Sequence, residues 1–386
     1  MEVDYMLSSL GPIWQELAAL FMSIIMTIGT TFGIFVPSDT TNPDKFFDNE
    51  VKNVIFLIGD GMGFNHLEKT KQERNISLTM DTFDIHGASM TRSLSNAVTD
   101  SAAGGTALAT GERTYNGGIG VYMFDPLCQF SYPKNITELC AERGMMTGVV
   151  TTDETSGATP ASFSAHSSDR GNTEDITNDQ FASDIDIIWG AANGVASKGL
   201  AKKNGFEYVT TYDEMMALEE GSRSFAQFTN DLWTLEQSDA NTPTLSQMTE
   251  KAIDLLDDTD EGFFLMVEGA HIDKHSHSND DASMTEALAE FDKTIQLALE
   301  YAAKDGETLV VVTADHETGA IMLNADGTYS FSSGSHSDAN VPVLVYGSSN
   351  IINAGEILNN YEIPIRIAYA LGFEEDEFPY EVMIAA

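Results

Sequence analysis

The sequence predicts an α/β fold with a mostly parallel central sheet and helices on both of its faces. The first observation is a set of short, β-branched apolar runs without polar alternation, as expected of strands covered on both faces. These runs are Val54–Ile58, Thr147–Thr151, Phe263–Val267, Leu309–Thr313 and Val341–Tyr346. The second observation is that helical patterns lie between them, because strand–helix–strand alternation is typical of parallel sheets.

Two of these helices have clear sequence signals. In one, Thr242 and Pro243 stand in the order of an N-cap and a first helical residue, which predicts a helix over residues 242–258. In the other, apolar residues recur at spacings of three and four, which predicts an amphipathic helix. Its apolar positions are Met284, Leu288, Phe291, Ile295, Ala298 and Ala302.

The chain divides into an N-terminal segment and one domain. Leu17–Val36 carries no charged residue and is long enough for an export signal or a single membrane anchor. A buried helix or a wrongly chosen start codon is the alternative, because no Lys or Arg precedes the segment and no A-x-A-like cleavage site follows it. We assign residues 1–45 to an export signal or anchor plus linker, and residues 46–386 to a single domain. The expected location is periplasmic, extracellular or membrane-anchored.

The composition is strongly acidic. The 386 residues include 19 Lys and Arg against 60 Asp and Glu, a formal net charge of −41. This balance excludes non-specific binding to nucleic acid, which requires dense Lys and Arg. The acidic coat indicates either adaptation to salty surroundings, where charges are screened, or ordinary surface solubility. The two cysteines, Cys128 and Cys140, either form one disulfide in an exported protein or remain free thiols.

Three of the predicted strands are followed by side chains of the types that commonly bind metals. Asp60 follows the first strand, Glu268 and then Asp273 and His277 follow the third, and Asp315 and His316 follow the fourth. Sites in open α/β sheets form outside the carboxyl ends of the strands. Mixed imidazole and carboxylate ligands favour zinc, whereas all-oxygen sets favour magnesium. The sequence therefore predicts a metal cluster at this edge of the sheet.

A candidate nucleophile lies in the segment Thr99–Ala107. A helix that begins at Ser101 exposes the serine at a helix N-terminus, where backbone N–H groups favour an oxyanion or a phosphate. The alternative is an ordinary Asp/Ser helix cap. The glycines of Gly59–Gly63 lack the spacing of a dinucleotide or P-loop fingerprint, so a nucleotide cofactor is not expected. A G-x-S-x-G elbow is also missing from the sequence.

Taken together, these motifs resemble the alkaline phosphatases, a family of zinc-dependent phosphomonoesterases. The resemblance extends from about Asn53 to Gly347 in five ordered blocks. The blocks are NVIFLIGDGMG, VTDSAAGGTA, ATPASFSAHSSDR, VEGAHIDKHSH with VVVTADHETG, and GSHS before VPVLVYG.

The resemblance implies two zinc ions, one magnesium ion and a set of site residues. Asp60, Asp315 and His316 would bind one zinc ion, and Asp273, His277 and His336 the other. Magnesium would be held by Asp60, Thr159 and Glu268. Ser101 would be the nucleophile. Arg170, oriented by Asp100, would hold the phosphoryl oxygens, and Lys274 would also bind the substrate. The planar guanidinium can bind two such oxygens at once.

One position departs from the family pattern. Members commonly carry Asp or His two residues before the magnesium-binding Ser or Thr, but this chain has Gly157 there. We therefore expect Lys274 to lack a partner carboxylate and magnesium to be held weakly, unless a neighbour such as Glu154 fills the gap. On this basis Gly157→Asp is expected to tighten magnesium binding.

The resemblance favours a phosphomonoesterase that acts on small phosphate esters through a phosphoserine intermediate. The alternatives are a phosphodiesterase of the same superfamily and an inactive metal- or phosphate-binding protein. A sulfatase is disfavoured because Ser101 lacks a C-x-P-x-R context. The family resemblance also implies a homodimer.

Overall fold

The structure is a computed structural model that describes residues 51–124, 129–348, 350–374 and 377–379. All of these residues belong to one compact unit. The predicted export segment and Cys128 lie outside the described residues, whereas Cys140 is a buried thiol. Within the described ranges, no helix has both the length and the apolar character that crossing a membrane requires.

A ten-stranded sheet forms the centre of the described unit, in the order β16-β2-β15-β10-β1-β9-β5-β6-β8-β7. All neighbouring pairs are parallel except the two that involve β15, which runs against the others. Its strands are β1 Asn53–Ile58, β2 Ile85–Met90, β5 Met146–Glu154, β6 Ile187–Ala191, β7 Glu207–Val209, β8 Ser224–Phe228, β9 Phe263–Glu268, β10 Thr308–Thr313, β15 Val341–Tyr346 and β16 Ile357–Asn359. The predicted mostly parallel α/β fold is confirmed.

Helices cover the sheet, and three short strand pairs lie outside it. The helices are α1 Phe64–Arg74, α2 Ser101–Thr110, α3 Ile136–Glu142, α4 Ala158–Ser162, α5 Thr173–Ala182, α6 Lys198–Lys203, α7 Tyr212–Met216, α8 Leu245–Leu256, α9 His271–His277, α10 Asp281–Asp305 and α11 Glu362–Ala370, with a 3-10 turn at Thr79–Thr82. The outer strands are β3 Tyr122–Phe124, β4 Gln129–Ser131, β11 Glu317–Thr318, β12 Met322–Leu323, β13 Tyr329–Ser330 and β14 His336–Ser337.

Most of the core lies in two apolar layers, one on each face of the sheet, and a smaller third cluster contains Ala102 and Ile119. Every residue of β1, β9 and β10 is buried. In β1, Ile55 and Leu57 pack into the layer that contains α8 and α10, whereas Val54 and Phe56 pack into the layer that contains α11. Successive side chains of a strand point to opposite faces, so a strand covered on both sides is apolar throughout.

The helix predicted over residues 242–258 begins later than the Thr242–Pro243 pair indicated. Its N-cap is Thr244, and the reciprocal hydrogen bonds between Thr244 and Gln247 form a capping box. Thr242 instead bonds to Asp239 in the preceding turn. The predicted N-cap was therefore wrong, because two threonines compete for the position and only Thr244 has a Gln three residues ahead.

We expect the melting temperature to rise with salt, because a net charge of −41 repels itself in the compact state and ions screen that repulsion. Most of the rise should occur below roughly 0.2 M NaCl, since the Debye length falls from about 30 Å at 0.01 M to about 8 Å at 0.15 M. Thermal denaturation, monitored by circular dichroism, measures the melting temperature at each salt concentration. Sucrose is the uncharged control and should raise the melting temperature only gradually with concentration. A flat or falling NaCl curve would contradict the explanation.

Candidate active site

The strand register brings the predicted ligands together at one edge of the sheet. Ile58, the last residue of β1, is in register with Glu268 of β9 and with Thr313 of β10. The chain turns immediately after each strand, which places Asp60, Glu268 and Asp315 side by side. Gly61 lies in the turn after β1 and has a φ of +73°. A Cβ at this position would lie 2.9 Å from atoms of Asp273, so the turn requires glycine here.

Asp60, Asp315 and His316 form the first cluster. His316 Nε2 lies 3.2 Å from Asp315 Oδ2 and 3.5 Å from Asp60 Oδ1. Both of these carboxylate oxygens are buried and accept no hydrogen bond in the described structure. Burial, and next the negative charges of Asp315 and Asp273, raise the pKa of Asp60 well above its usual range. Buried carboxylates at this density stay ionised only beside a positive charge, and their oxygens with an imidazole nitrogen suit zinc.

Asp273, His277 and His336 form the second cluster, in which two imidazole nitrogens face each other. The Nε2 atoms of His277 and His336 are 3.1 Å apart. Each ring uses its Nδ1 to contact a backbone carbonyl, of Gly334 and Thr99 respectively. A carbonyl can only accept, so each Nδ1 carries a proton, and each Nε2 presents a lone pair when its ring is neutral. Two such lone pairs, with Asp273 Oδ2 only 3.3 Å from His277 Nε2, fit a shared cation.

The two clusters are continuous through His316. Its ring stacks on His336 with centroids 3.6 Å apart. The ligand atoms of Asp273, His316 and His336 all lie within 4.8 Å of one another, as do those of Asp60, Asp315 and His316. His316 Nδ1 also contacts the Thr318 hydroxyl, which in turn donates to Asp273 Oδ1. This contact fixes the ring orientation and leaves Nε2 for a metal.

Asp60, Thr159 and Glu268 supply oxygen atoms only. In each of the three, one buried side-chain oxygen has no hydrogen-bond partner within the described ranges: Asp60 Oδ1, Thr159 Oγ1 and Glu268 Oε1. Burial and the charge of Asp153 raise the pKa of Glu268 to about 8. Unsatisfied buried oxygens are costly, and a hard cation such as magnesium would satisfy them. The residues present therefore fit both predicted kinds of metal site.

Ser101 is the first residue of α2, and the whole helix is buried. The serine Oγ lies 3.2 Å from His316 Nε2, at the edge of the first cluster. The small residues of α2 allow this approach: a Cβ on Gly104 would lie 2.8 Å from the Asp315 carbonyl oxygen, and one on Gly105 would lie 3.2 Å from the Thr159 Cα. The helix N-terminus and the metal ligands therefore meet at the serine hydroxyl.

Asp100 has two roles in the structure. As the N-cap of α2, its Oδ1 accepts hydrogen bonds from the backbone N–H groups of Ala103 and Gly117. Its Oδ2 accepts from Arg170 at 3.0 Å. The Arg170 backbone N–H donates to the Gly117 carbonyl, which holds the loop that carries the arginine against the same turn. Asp100 is thus the cap of helix α2 and also contacts Arg170, whereas its role in catalysis stays a prediction.

The expectation that Lys274 lacks a partner carboxylate was wrong. Its ammonium group forms an ion pair with Asp153 at the end of β5. Burial lowers the pKa of Lys274, but Asp153, Glu268 and Asp60 outweigh this and raise it. Glu154, the neighbour proposed to fill the gap at Gly157, is exposed instead. The predicted contact of Lys274 with substrate stays a prediction.

The remaining histidines occupy buried or half-buried positions. His166 contacts the Gly120 carbonyl at 2.6 Å and the Glu138 carboxylate at 3.1 Å, as expected of a packing residue. His271 is buried and stacks against the ring of Trp233. His66 accepts from the Gly63 N–H through Nδ1 and reaches the Ser276 hydroxyl through Nε2. It thereby connects the turn after Asp60 to helix α9, which no sequence pattern indicated.

The described residues combine a mostly parallel α/β sheet, a serine at a helix N-terminus and clusters of carboxylates and imidazoles at the carboxyl edge of the sheet, an arrangement that fits the class of metal-dependent enzymes. The alkaline phosphatase family model matches residues 51–188 and 191–352. The chain therefore belongs to the alkaline phosphatase family.

Individual relatives agree with this assignment. "Alkaline phosphatase 4" of Bacillus subtilis strain 168 is 33% identical over 341 residues, which cover 82% of this chain and 73% of that enzyme. "Alkaline phosphatase 3" of the same strain is 34% identical, and the match spans 64% of its length. The structure of alkaline phosphatase from the Antarctic bacterium TAB5 is 32% identical with a TM-score of 0.70, over 84% of this chain and 99% of that one. A variant of the TAB5 enzyme is described with Mg bound in its M3 site. These relatives support phosphomonoester hydrolysis in general.

Proposed function

We propose that this protein hydrolyses phosphate monoesters through a covalent phosphoserine on Ser101. The observation that carries the proposal is the position of the Ser101 hydroxyl, at a helix N-terminus and 3.2 Å from the imidazole of the first cluster. Asp60, Asp315 and His316 would hold one zinc ion, and Asp273, His277 and His336 a second. Asp60, Thr159 and Glu268 would hold magnesium. When bound, the zinc ions would stabilise the serine alkoxide and the leaving oxygen.

The side chains of the protein itself account for the binding and orientation of the phosphate ester. The guanidinium of Arg170, held by Asp100, can donate two parallel hydrogen bonds to unesterified phosphoryl oxygens. Ser101 Oγ loses its proton and attacks phosphorus, so that a P–Oγ bond forms, the bond between phosphorus and the ester oxygen breaks, and that oxygen takes up a proton and leaves as the alcohol. Water then cleaves the phosphoserine, which releases phosphate and restores the serine. The α2 N-terminus stabilises negative charge in both steps.

Arg170 favours monoesters over diesters, because a monoester dianion spreads two negative charges over three unesterified oxygens, whereas a diester spreads one charge over two. Turnover of an aryl phosphate and of the matching aryl diester, with metal analysis of the same sample, distinguishes the candidates. We expect the monoester to be strongly preferred. A preference for the diester would support a phosphodiesterase, and metal binding without turnover would support an inactive binding protein.

We expect Arg170→Ala to lower kcat/KM by on the order of 10²-fold, since loss of one preorganised charge contact costs about 3 kcal/mol. The phosphoserine should still form, because the variant retains Ser101 and every proposed metal ligand. Arg170→Lys should recover part of the loss, since it keeps the charge but not the planar fork. Steady-state kinetics measures both, with the exposed Arg92→Ala as the matched control. An unchanged kcat/KM in Arg170→Ala would contradict the assigned role.

Two further proposals rest on the sequence and the family rather than on the site. We propose that Leu17–Val36 directs export or anchors the protein in a membrane, and that the protein assembles as a homodimer. Cell fractionation of the full chain tests the first, and analytical ultracentrifugation tests the second.

A further inference from the structure

The carboxylate of Asp153 occupies the space that a side chain at position 157 would need. Asp153 lies near the end of β5, and Gly157 precedes helix α4. A Cβ built on Gly157 would lie 2.3 Å from Asp153 Oδ2, far inside van der Waals contact. The chain therefore does not lack a carboxylate at this place: the carboxylate comes from a residue four positions earlier.

Asp153 is held firmly in this position. Its Oδ1 accepts a hydrogen bond from the Glu154 backbone N–H at 2.7 Å and pairs with the Lys274 ammonium. Its own backbone N–H donates to the Thr151 hydroxyl at 2.8 Å, and that hydroxyl donates to Glu268 Oε2. Glu268 is thus oriented through one oxygen, and its other oxygen, Oε1, remains without a partner.

The ion pair between Asp153 and Lys274 affects the charge around the three oxygens that have no hydrogen-bond partner. Burial lowers the pKa of Lys274, whereas the charges of Asp153, Glu268 and Asp60 raise it, so Glu268 and Asp60 also attract the ammonium group. If the pair were absent, the ammonium could move onto these two carboxylates and compete with a divalent cation for them. With Asp153 present, Lys274 has its own counterion. When Asp60, Glu268 and Asp153 are all ionised, their three negative charges and the positive charge of Lys274 give the site a net charge of about −2. Removal of Asp153 would leave one net negative charge.

We propose that Asp153 is a positioning residue for the magnesium site. Asp153 holds Lys274 away from Asp60 and Glu268, and its carboxylate replaces the acidic side chain that Gly157 cannot provide. The proposal rests on the magnesium site of the proposed function. It reverses the expectation from sequence, because an aspartate at position 157 would collide with Asp153 rather than fill a gap.

The test is calorimetric titration of zinc-loaded protein with magnesium. Asp153→Asn keeps the size of the side chain but removes its charge, and should weaken magnesium binding about 10–100-fold, the usual cost of losing a residue that supports metal ligands. Glu154→Gln removes a neighbouring exposed carboxylate and should change affinity less than about threefold, since Glu154 does not pair with Lys274. Gly157→Asp alone should also weaken binding.

Two double variants separate this role from general destabilisation. Asp153→Gly combined with Gly157→Asp moves the carboxylate to the other position and should restore affinity. Asp153→Asn combined with Lys274→Gln removes the competing ammonium and should restore it as well. A crystal structure of Asp153→Asn should show Lys274 in contact with Glu268 or Asp60.

Several outcomes would overturn the proposal. These are unchanged magnesium affinity in Asp153→Asn, tighter binding in Gly157→Asp, or no recovery in either double variant. A zinc-loaded protein that turns over aryl phosphates but binds no magnesium would contradict this proposal and leave the Ser101 chemistry intact. Magnesium binding that depends on Asp153 in a protein without turnover would instead contradict the proposed function alone.

Discussion

Substitution of Ser101 by alanine should reduce aryl phosphate turnover by about 10⁴-fold or more, because loss of the covalent nucleophile leaves only binding and electrostatic stabilisation. The Ser101 Oγ is the hydroxyl that meets both the α2 N-terminus and His316 Nε2. The variant should keep its metals, since Ser101 is not among the proposed ligands. Initial-rate kinetics with metal analysis measures both properties.

The control for this variant is Ser168→Ala, which removes an exposed hydroxyl from the loop that carries Arg170. It should retain full activity. If Ser101→Ala kept more than about a tenth of the turnover at normal metal content, another group would have to be the nucleophile.

Removal of the metals should abolish activity, and zinc should restore it. Two imidazole nitrogens 3.1 Å apart, and buried carboxylate oxygens without partners, are unfavourable arrangements unless protons or cations lie between them. Dialysis against a chelator should therefore also lower the melting temperature, because a ligand that binds only the folded state stabilises it, by about 2.7 kcal/mol at a hundredfold excess over Kd.

Re-addition distinguishes the metals. Zinc should restore both turnover and melting temperature, and magnesium alone should restore neither, since the imidazole ligands favour zinc. Full activity in a sample verified to be free of metal would contradict the account of the site.

Much of the fold could be predicted because buried parallel strands are apolar throughout. The five predicted runs correspond to β1, β5, β9, β10 and β15. Strands β6 and β8 were not predicted, since Trp189, Gly190 and Gln227 interrupt the β-branched pattern although the strands are buried. The reversed direction of β15 was not predicted either. Strand direction depends on the connecting chain, and a six-residue apolar run contains no signal for it.

The site could be predicted where its residues follow strands or stand in motifs. The structure brings Asp60, Asp315 and His316 together, and likewise Asp273, His277 and His336, as the family resemblance implied. The role of Asp153 was missed, because it depends on the direction in which a strand-end carboxylate turns. Thr318 and His66 were missed for a similar reason: each acts through one hydrogen bond to a distant element. Such contacts follow from packing and have no fixed sequence spacing.

The central claim is that Ser101 carries the phosphoryl group. Mass spectrometry of zinc-loaded protein, quenched with acid during turnover of an aryl phosphate, tests it most directly. We predict one phosphate per chain at most, located on the peptide that contains Ser101 and absent from protein quenched before substrate is added. Phosphate on a different residue, or steady turnover with no phosphorylated peptide under any quench condition, would contradict the account.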